Sequence, residues 1–248
     1  MFLGKITGQA LALFILLWKT RKDLRLDKTE DLPSLRELAV RYRKMSLLNG
    51  PNVMVDALRN NGMNLIVGLS GAGVLGQFSK AQGILQVPMG FITASVTQVF
   101  YQRMAVVKPG GMLPLVKNVT KKLTLFAVPV FMLVFLLAPW LFVFLFGPQW
   151  DQVGYYARAL TPWILVTVLT SPISNIFIVT ETQERMLIFA IIYCAVPLAI
   201  LFFSPLAMLQ TVVIMSLTMA AMLLFMLAMA FNVAKNFDRR LLKSKPAT

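Results

Sequence analysis

LTLFAVPVFMLVFLLAPWLFVFLF, residues 123–146, runs for 24 residues without a charged side chain. A helix of that length extends about 36 Å, enough to cross the ~30 Å hydrocarbon core of a bilayer. Apolar and polar residues do not alternate along it, as a membrane barrel strand would require. Lipid offers the backbone no hydrogen-bond partners, so the run is predicted to be a helix. Pro129 inside it is expected to bend it.

Working outward, six further spans are predicted, at residues 2–18, 45–68, 75–100, 157–179, 186–203 and 206–231. The totals agree with lipid as the main solvent. Hydrophobic residues make up 58% of the chain and charged ones 14%, against about 25% charged in a soluble domain. Mean hydropathy is +0.73. The predicted fold class is therefore all-α, a polytopic transmembrane helix bundle of about seven spans. Its expected parts are a single transmembrane helix (1–18), a basic linker (19–44), a six-helix bundle (45–231) and a basic tail (232–248). Within the linker, Ser34 and Glu37 form a capping-box pattern ahead of a short amphipathic helix that runs into the second span. SGAGVLG, residues 70–76, is read as a glycine-rich turn.

Net charge is +14. In a soluble protein that balance would suggest nucleic acid. Here the loops 19–45, 101–122, 180–185 and 232–248 hold 20 of the 24 Lys and Arg, while 68–74 and 147–156 hold none. Charge that segregates to alternate loops orients a membrane protein, with the basic side cytoplasmic. The expectation is a multi-pass protein of a bacterial inner membrane with its C-terminus in the cytoplasm and no nucleic-acid partner. Seven spans then put Met1 outside, which suggests upstream helices missing from the chain.

There is no His and a single Cys, Cys194, inside an apolar run. Histidine acid–base chemistry, an internal disulfide and Cys-based metal clusters are excluded. No Gly-rich loop precedes Lys-Ser or Lys-Thr, so no nucleotide-hydrolysing motif is present. An enzyme and a cofactor are not expected.

The second span is the most polar. Asp56, Arg59 and Asn60 lie three and four residues apart and share a helix face. Asn52 and Asn64 extend that stripe. Ionisable groups at membrane depth face a protein interior or an aqueous cavity. Arg59 is the candidate for an anionic substrate group, because a guanidinium donates two parallel hydrogen bonds to phosphate oxygens. The blander reading is an Asp56–Arg59 pair that only locks helix packing. In the third span, Gln82 and Gln86 share a face, and Lys80 is either a cavity cation or one that snorkels to the interface. Arg158 opens the fifth span beside Tyr155 and Tyr156, as a sugar contact or an interfacial anchor. Pro162, Pro172 and Pro197 mark bends. The sixth and seventh spans, almost without polar residues, are read as lipid-facing or packing helices.

Four stretches carry a family resemblance: RYRKMSLLNGPNVMVDALRNN (41–61), GLSGAGVLGQFSKAQGILQVPMGFITASVTQVFYQR (68–103), FLFGPQWDQVGYYARALTPW (144–163) and SPISNIFIVTETQ (171–183). Together, residues 35–183 resemble the C-terminal half of bacterial polysaccharide exporters of the multidrug/oligosaccharidyl-lipid/polysaccharide superfamily, most closely the O-antigen and capsular repeat-unit flippases. The resemblance implies that the seven spans correspond to helices six through twelve of a twelve-helix protein. It implies two six-helix bundles that alternate access around a partly cationic cavity. The substrate it implies is an undecaprenyl-pyrophosphate-linked oligosaccharide, and Arg59 matches in character the basic residues of that family's seventh helix. Expected partners are the lipid-linked oligosaccharide, membrane lipids, and a polysaccharide polymerase or a separate N-terminal half. Two alternatives stand beside it: a cation-coupled drug or small-molecule exporter using Asp56, and a non-transporting subunit of a synthase assembly.

Overall fold

A computed structural model describes residues 2–19, 35–108, 110–180 and 182–243. These are helical almost throughout. The chain divides into two units, Met1–Arg43 and Lys44–Thr248. In the first lies α1 (Phe2–Lys19), an apolar helix whose residues 11–19 are all exposed. The expected cap Ser34 lies outside the described residues. The helix that follows, α2 (Leu35–Leu69), begins in the first unit and runs on through the second, past Pro51, without a break.

The second unit continues with α3 (Ala72–Ala105), α4 (Met112–Phe146), α5 (Asp151–Thr170), the short α6 (Ile176–Val179), α7 (Gln183–Phe203) and α8 (Met208–Lys243). The glycine-rich turn is shorter than the sequence suggests: α3 already starts at Ala72, and only Gly71, at φ 121°, takes a left-handed turn there. Gly147, at φ 88°, ends α4, and Pro148 opens the single 3₁₀ turn that leads into α5. Among the described residues, α3, α4, α7 and α8 are each long and apolar enough to cross a membrane. A fifth is added if α5 and α6, bent by 43° at the Pro172 break, count as one broken span. The architecture is thus all-α and multi-pass. Helices occupy the stretches read as the first two spans, but α1 is short in its described apolar run and α2 is too polar to meet that measure.

Into the basic segment that begins at residue 232, α8 continues as helix to Lys243. Asp238 on that extension is 7% exposed. Its two carboxylate oxygens accept the N–H groups of Met112 (3.0 Å) and Leu113 (2.8 Å), the first residues of α4. The opening amides of a helix have no partner of their own and carry the positive end of its dipole, so a carboxylate there is held strongly. No local residue could do this: α4 starts after Gly110-Gly111, and Gly111 offers no side chain.

The core centres on α5, which packs most closely on α4, then on α8 and α3. Two proline interruptions decide how. Pro139 in α4 has no N–H, which leaves the carbonyl four residues back, that of Phe135, without its helical donor. Arg158 of α5 supplies one: its Nε donates to Phe135 O at 2.8 Å and its Nη2 to Leu136 O at 3.0 Å. One turn earlier, Gly154 lets the backbones meet. A Cβ there would lie 2.4 Å from Pro139 Cα and 2.8 Å from Ala138 O. Beside Pro162 in α5, the N–H of Trp163 donates to the fully buried Ser216 Oγ of α8 at 3.2 Å. At Pro139 the neighbouring helix thus satisfies the carbonyl that the proline leaves open, as lipid cannot. The methionine-rich face of α8 turns inward, with Met215, Met219 and Met226 buried.

Candidate functional site

α2 stands least closely against this core. It touches it through side chains: Gly62 receives Leu198 of α7, and Asn64 Oδ1 accepts the Ser79 hydroxyl of α3 at 3.3 Å. Its outer face shows Met54, Leu58, Leu65 and Leu69 exposed. The gap behind it is a cavity of about 330 Å³, walled by α2, α5, the 171–178 break, α7 and α8. That volume lies at the low end of the ~300–1,000 Å³ usual for small-molecule sites.

Arg59 lines it. Its side chain is 12% exposed and its Nη1 is 2.9 Å from Asp56 Oδ1, a carboxylate left 58% exposed. The guanidinium carbon stands 4.6 Å over the ring of Tyr193, a cation–π contact that strengthens when desolvated. The Tyr193 hydroxyl in turn accepts the Trp163 indole N–H at 2.6 Å. A chain of contacts therefore runs from Ser216 through Trp163 and Tyr193 to Arg59 and Asp56, crossing four helices. Arg59 Nε is buried and has no acceptor among the described residues. A buried donor without a partner is costly unless something occupies it.

The opposite wall has a different chemistry. Thr167, Thr170 and Ser174 donate their hydroxyls back to Trp163 O, Val166 O and Ser171 O, each at 2.8 Å. Asn175 donates its amide to Pro172 O at 3.2 Å. Groups whose protons are spent on their own helix keep oxygen lone pairs for a ligand. The cavity thus combines one cation with a row of acceptors, a set suited to a molecule that is anionic at one place and rich in hydroxyl donors at another.

Of the residues singled out in the sequence, Asn52, Asp56 and Arg59 line this cavity. Asn60 and Asn64 lie on the same helix outside it; Asn64 is engaged with Ser79. Gln82 is buried within the bundle and Gln86 is exposed, neither on the cavity. Lys80 points at the α4–α5 turn, where its Nζ stands 3.5 Å from the Trp150 ring centroid and 4.2 Å from that of Phe146. Arg158 is taken up by the α4 carbonyls described above, and lines a separate apolar hollow with Tyr155 and Pro162. Sequence reasoning missed Trp163, Tyr193 and the hydroxyl row. The row did leave a signal: Thr167, Thr170, Ser171 and Ser174 recur at helical spacing in an apolar run. Trp163 and Tyr193 left none. The sixth span, read as lipid-facing or packing, instead supplies Met186, Phe189 and Tyr193 to the cavity wall. Among the described residues, no three of His, Cys, Asp or Glu come together in a way that could hold a metal.

A multi-span helical membrane protein with a polar, arginine-bearing cavity is the class this arrangement defines. A family model described as polysaccharide biosynthesis protein matches residues 1–155, more than half of the chain, and the chain belongs to that family. The match includes α2, with Asp56 and Arg59, and ends shortly after α5 begins. No curated protein and no solved structure matches the chain.

Proposed function

We propose that the chain forms one wall of a transporter that moves undecaprenyl-pyrophosphate-linked oligosaccharide units across a bacterial inner membrane, for O-antigen, capsule or exopolysaccharide synthesis. The observation that carries this reading is Arg59: a guanidinium 12% exposed on a polar cavity between apolar helices, with a buried Nε still free to donate. A phosphate oxygen is the acceptor that a guanidinium fits best. The hydroxyl, amide and carboxylate oxygens around it suit sugar hydroxyls. Family membership and the multi-span architecture support the same reading.

In this proposal the seven helical stretches correspond to helices six through twelve of a flippase. A second bundle, joined or separate, closes the other side of the cavity. The basic loops face the cytoplasm. The lining of α5 and α7 lies toward residues 180–185, so the cavity belongs to the cytoplasmic half, where the lipid-linked unit is loaded.

The test is binding of an undecaprenyl-pyrophosphate-linked oligosaccharide to the purified chain in nanodiscs, with undecaprenyl phosphate as control. Saturable binding that needs the pyrophosphate and weakens at least tenfold in Arg59→Ala, about 1.4 kcal/mol, is the expected result. Equal binding by the variant removes Arg59 from the site and overturns the proposal.

A further inference from the structure

A second cavity, about 580 Å³, lies between the last turns of α3 and the first of α4. Its floor and sides are apolar, and Phe91, Val99 and Phe126 along it are exposed. Its polar lining is Arg103 near the end of α3, Asn118 and Lys122 one turn apart on α4, and Ser95. The Ser95 hydroxyl is spent on Phe91 O at 3.1 Å. Neither Arg103 nor Lys122 pairs with a carboxylate of the described residues. No acidic residue occurs between Asp56 and Asp151. The carboxylate that folding brings to the start of α4, Asp238, is buried and held by the amides there.

The dimensions of the groove select its occupant. From Phe91 to Arg103 is twelve residues, about 18 Å along a helix, close to the ~15 Å depth of one bilayer leaflet. A free anion would leave the apolar length unused. A packing helix would have no need of two cations that pair with no carboxylate of the described residues. We infer that this groove is a specific site for an anionic phospholipid, with its phosphate between Arg103 and Lys122 and an acyl chain laid along Phe91, Val99 and Phe126. Basic pockets between membrane helices recognise such headgroups on the cytoplasmic side. The site shares no residue with the Arg59 cavity and does not depend on the transport reading.

The experiment compares phosphatidylglycerol with phosphatidylcholine of the same acyl chains, added to the delipidated chain in detergent and followed by native mass spectrometry and thermal unfolding. Phosphatidylglycerol should bind at least tenfold more tightly. The double variant Arg103→Gln/Lys122→Gln should bring that preference within twofold, while Lys117→Gln/Lys121→Gln, an equal loss of charge just outside the groove, keeps it. Val99→Trp, which fills the groove without touching a charge, should abolish retention of either lipid. Equal binding of the two lipids, equal loss in both double variants, or undiminished binding by Val99→Trp each overturns the site. So does displacement of phosphatidylglycerol by a polyprenyl phosphate at tenfold lower concentration, which would give the groove to the transported lipid instead.

Discussion

α2 and the α4–α5–α8 core solve the membrane problem in opposite ways. The core brings backbones together: Gly154 seats α5 on Pro139, Arg158 fills the carbonyl that Pro139 leaves open, Ser216 ties α8 to α5, and Asp238 caps α4. Almost every polar group there is consumed within the protein. α2 stays back and reaches across with long or polar side chains, leaving the 330 Å³ cavity and an unused donor on Arg59. Tight packing with satisfied polar groups makes a scaffold. A gap that leaves a buried guanidinium N–H without an acceptor among the described residues has room for a ligand group. Polar residues in a membrane helix therefore have to be judged by what they are left free to bind, since their presence alone marks both regions equally.

Substitutions in the two regions should separate stability from binding. The largest loss of stability is expected for Gly154→Leu, whose side chain would have to occupy the space of the α4 backbone. Overpacking costs about 1–3 kcal/mol, occasionally more, and the backbone on the far side cannot yield, so folded yield by size exclusion should collapse. Asp238→Ala comes next. It removes two charge-assisted bonds from buried amides and should cost roughly 2 kcal/mol in detergent unfolding, with Asp238→Asn restoring part. Arg158→Met leaves Phe135 O without a donor and should cost about 1 kcal/mol, near the upper range for hydrogen bonds measured inside membranes. If Arg158→Met instead weakens substrate binding with stability unchanged, Arg158 belongs to the site and the contrast between the regions fails.

The α2 side should behave in reverse. Arg59→Gln is expected to change the midpoint of unfolding little, the pair with a well-exposed Asp56 being worth about 1 kcal/mol or less, while binding of the lipid-linked substrate falls tenfold or more. Tyr193→Phe, which keeps the ring under Arg59 but drops the acceptor of the Trp163 N–H, should give a smaller binding loss, about threefold. A large stability loss in Arg59→Gln without a binding effect would make α2 part of the scaffold. The smallest change is expected at Lys80→Met, which exchanges a cation–π contact of roughly 0.5–1 kcal/mol for apolar packing on Trp150 and Phe146, with no effect on ligand.

Much of this was legible before folding. The 123–146 run could only be a helix in lipid, and Asp56 and Arg59 at membrane depth pointed to a cavity because lipid tolerates neither. The fate of Lys80 and Arg158 was not legible. Lys80 is claimed by aromatic rings about seventy residues away, and Arg158 by carbonyls that a proline on another helix left open. A helical wheel shows which residues share a face but not which face meets which helix. The sequence by itself determined the solvent, the helical class and the polar character of α2, since these follow from runs of local composition and from the cost of unpaired amides in hydrocarbon. The tertiary structure alone decided which cation lines a polar cavity. That depends on helix rotation and on acceptors supplied from distant parts of the chain, and it leaves Arg59 facing a cavity while Arg158, equally charged, is absorbed into the frame.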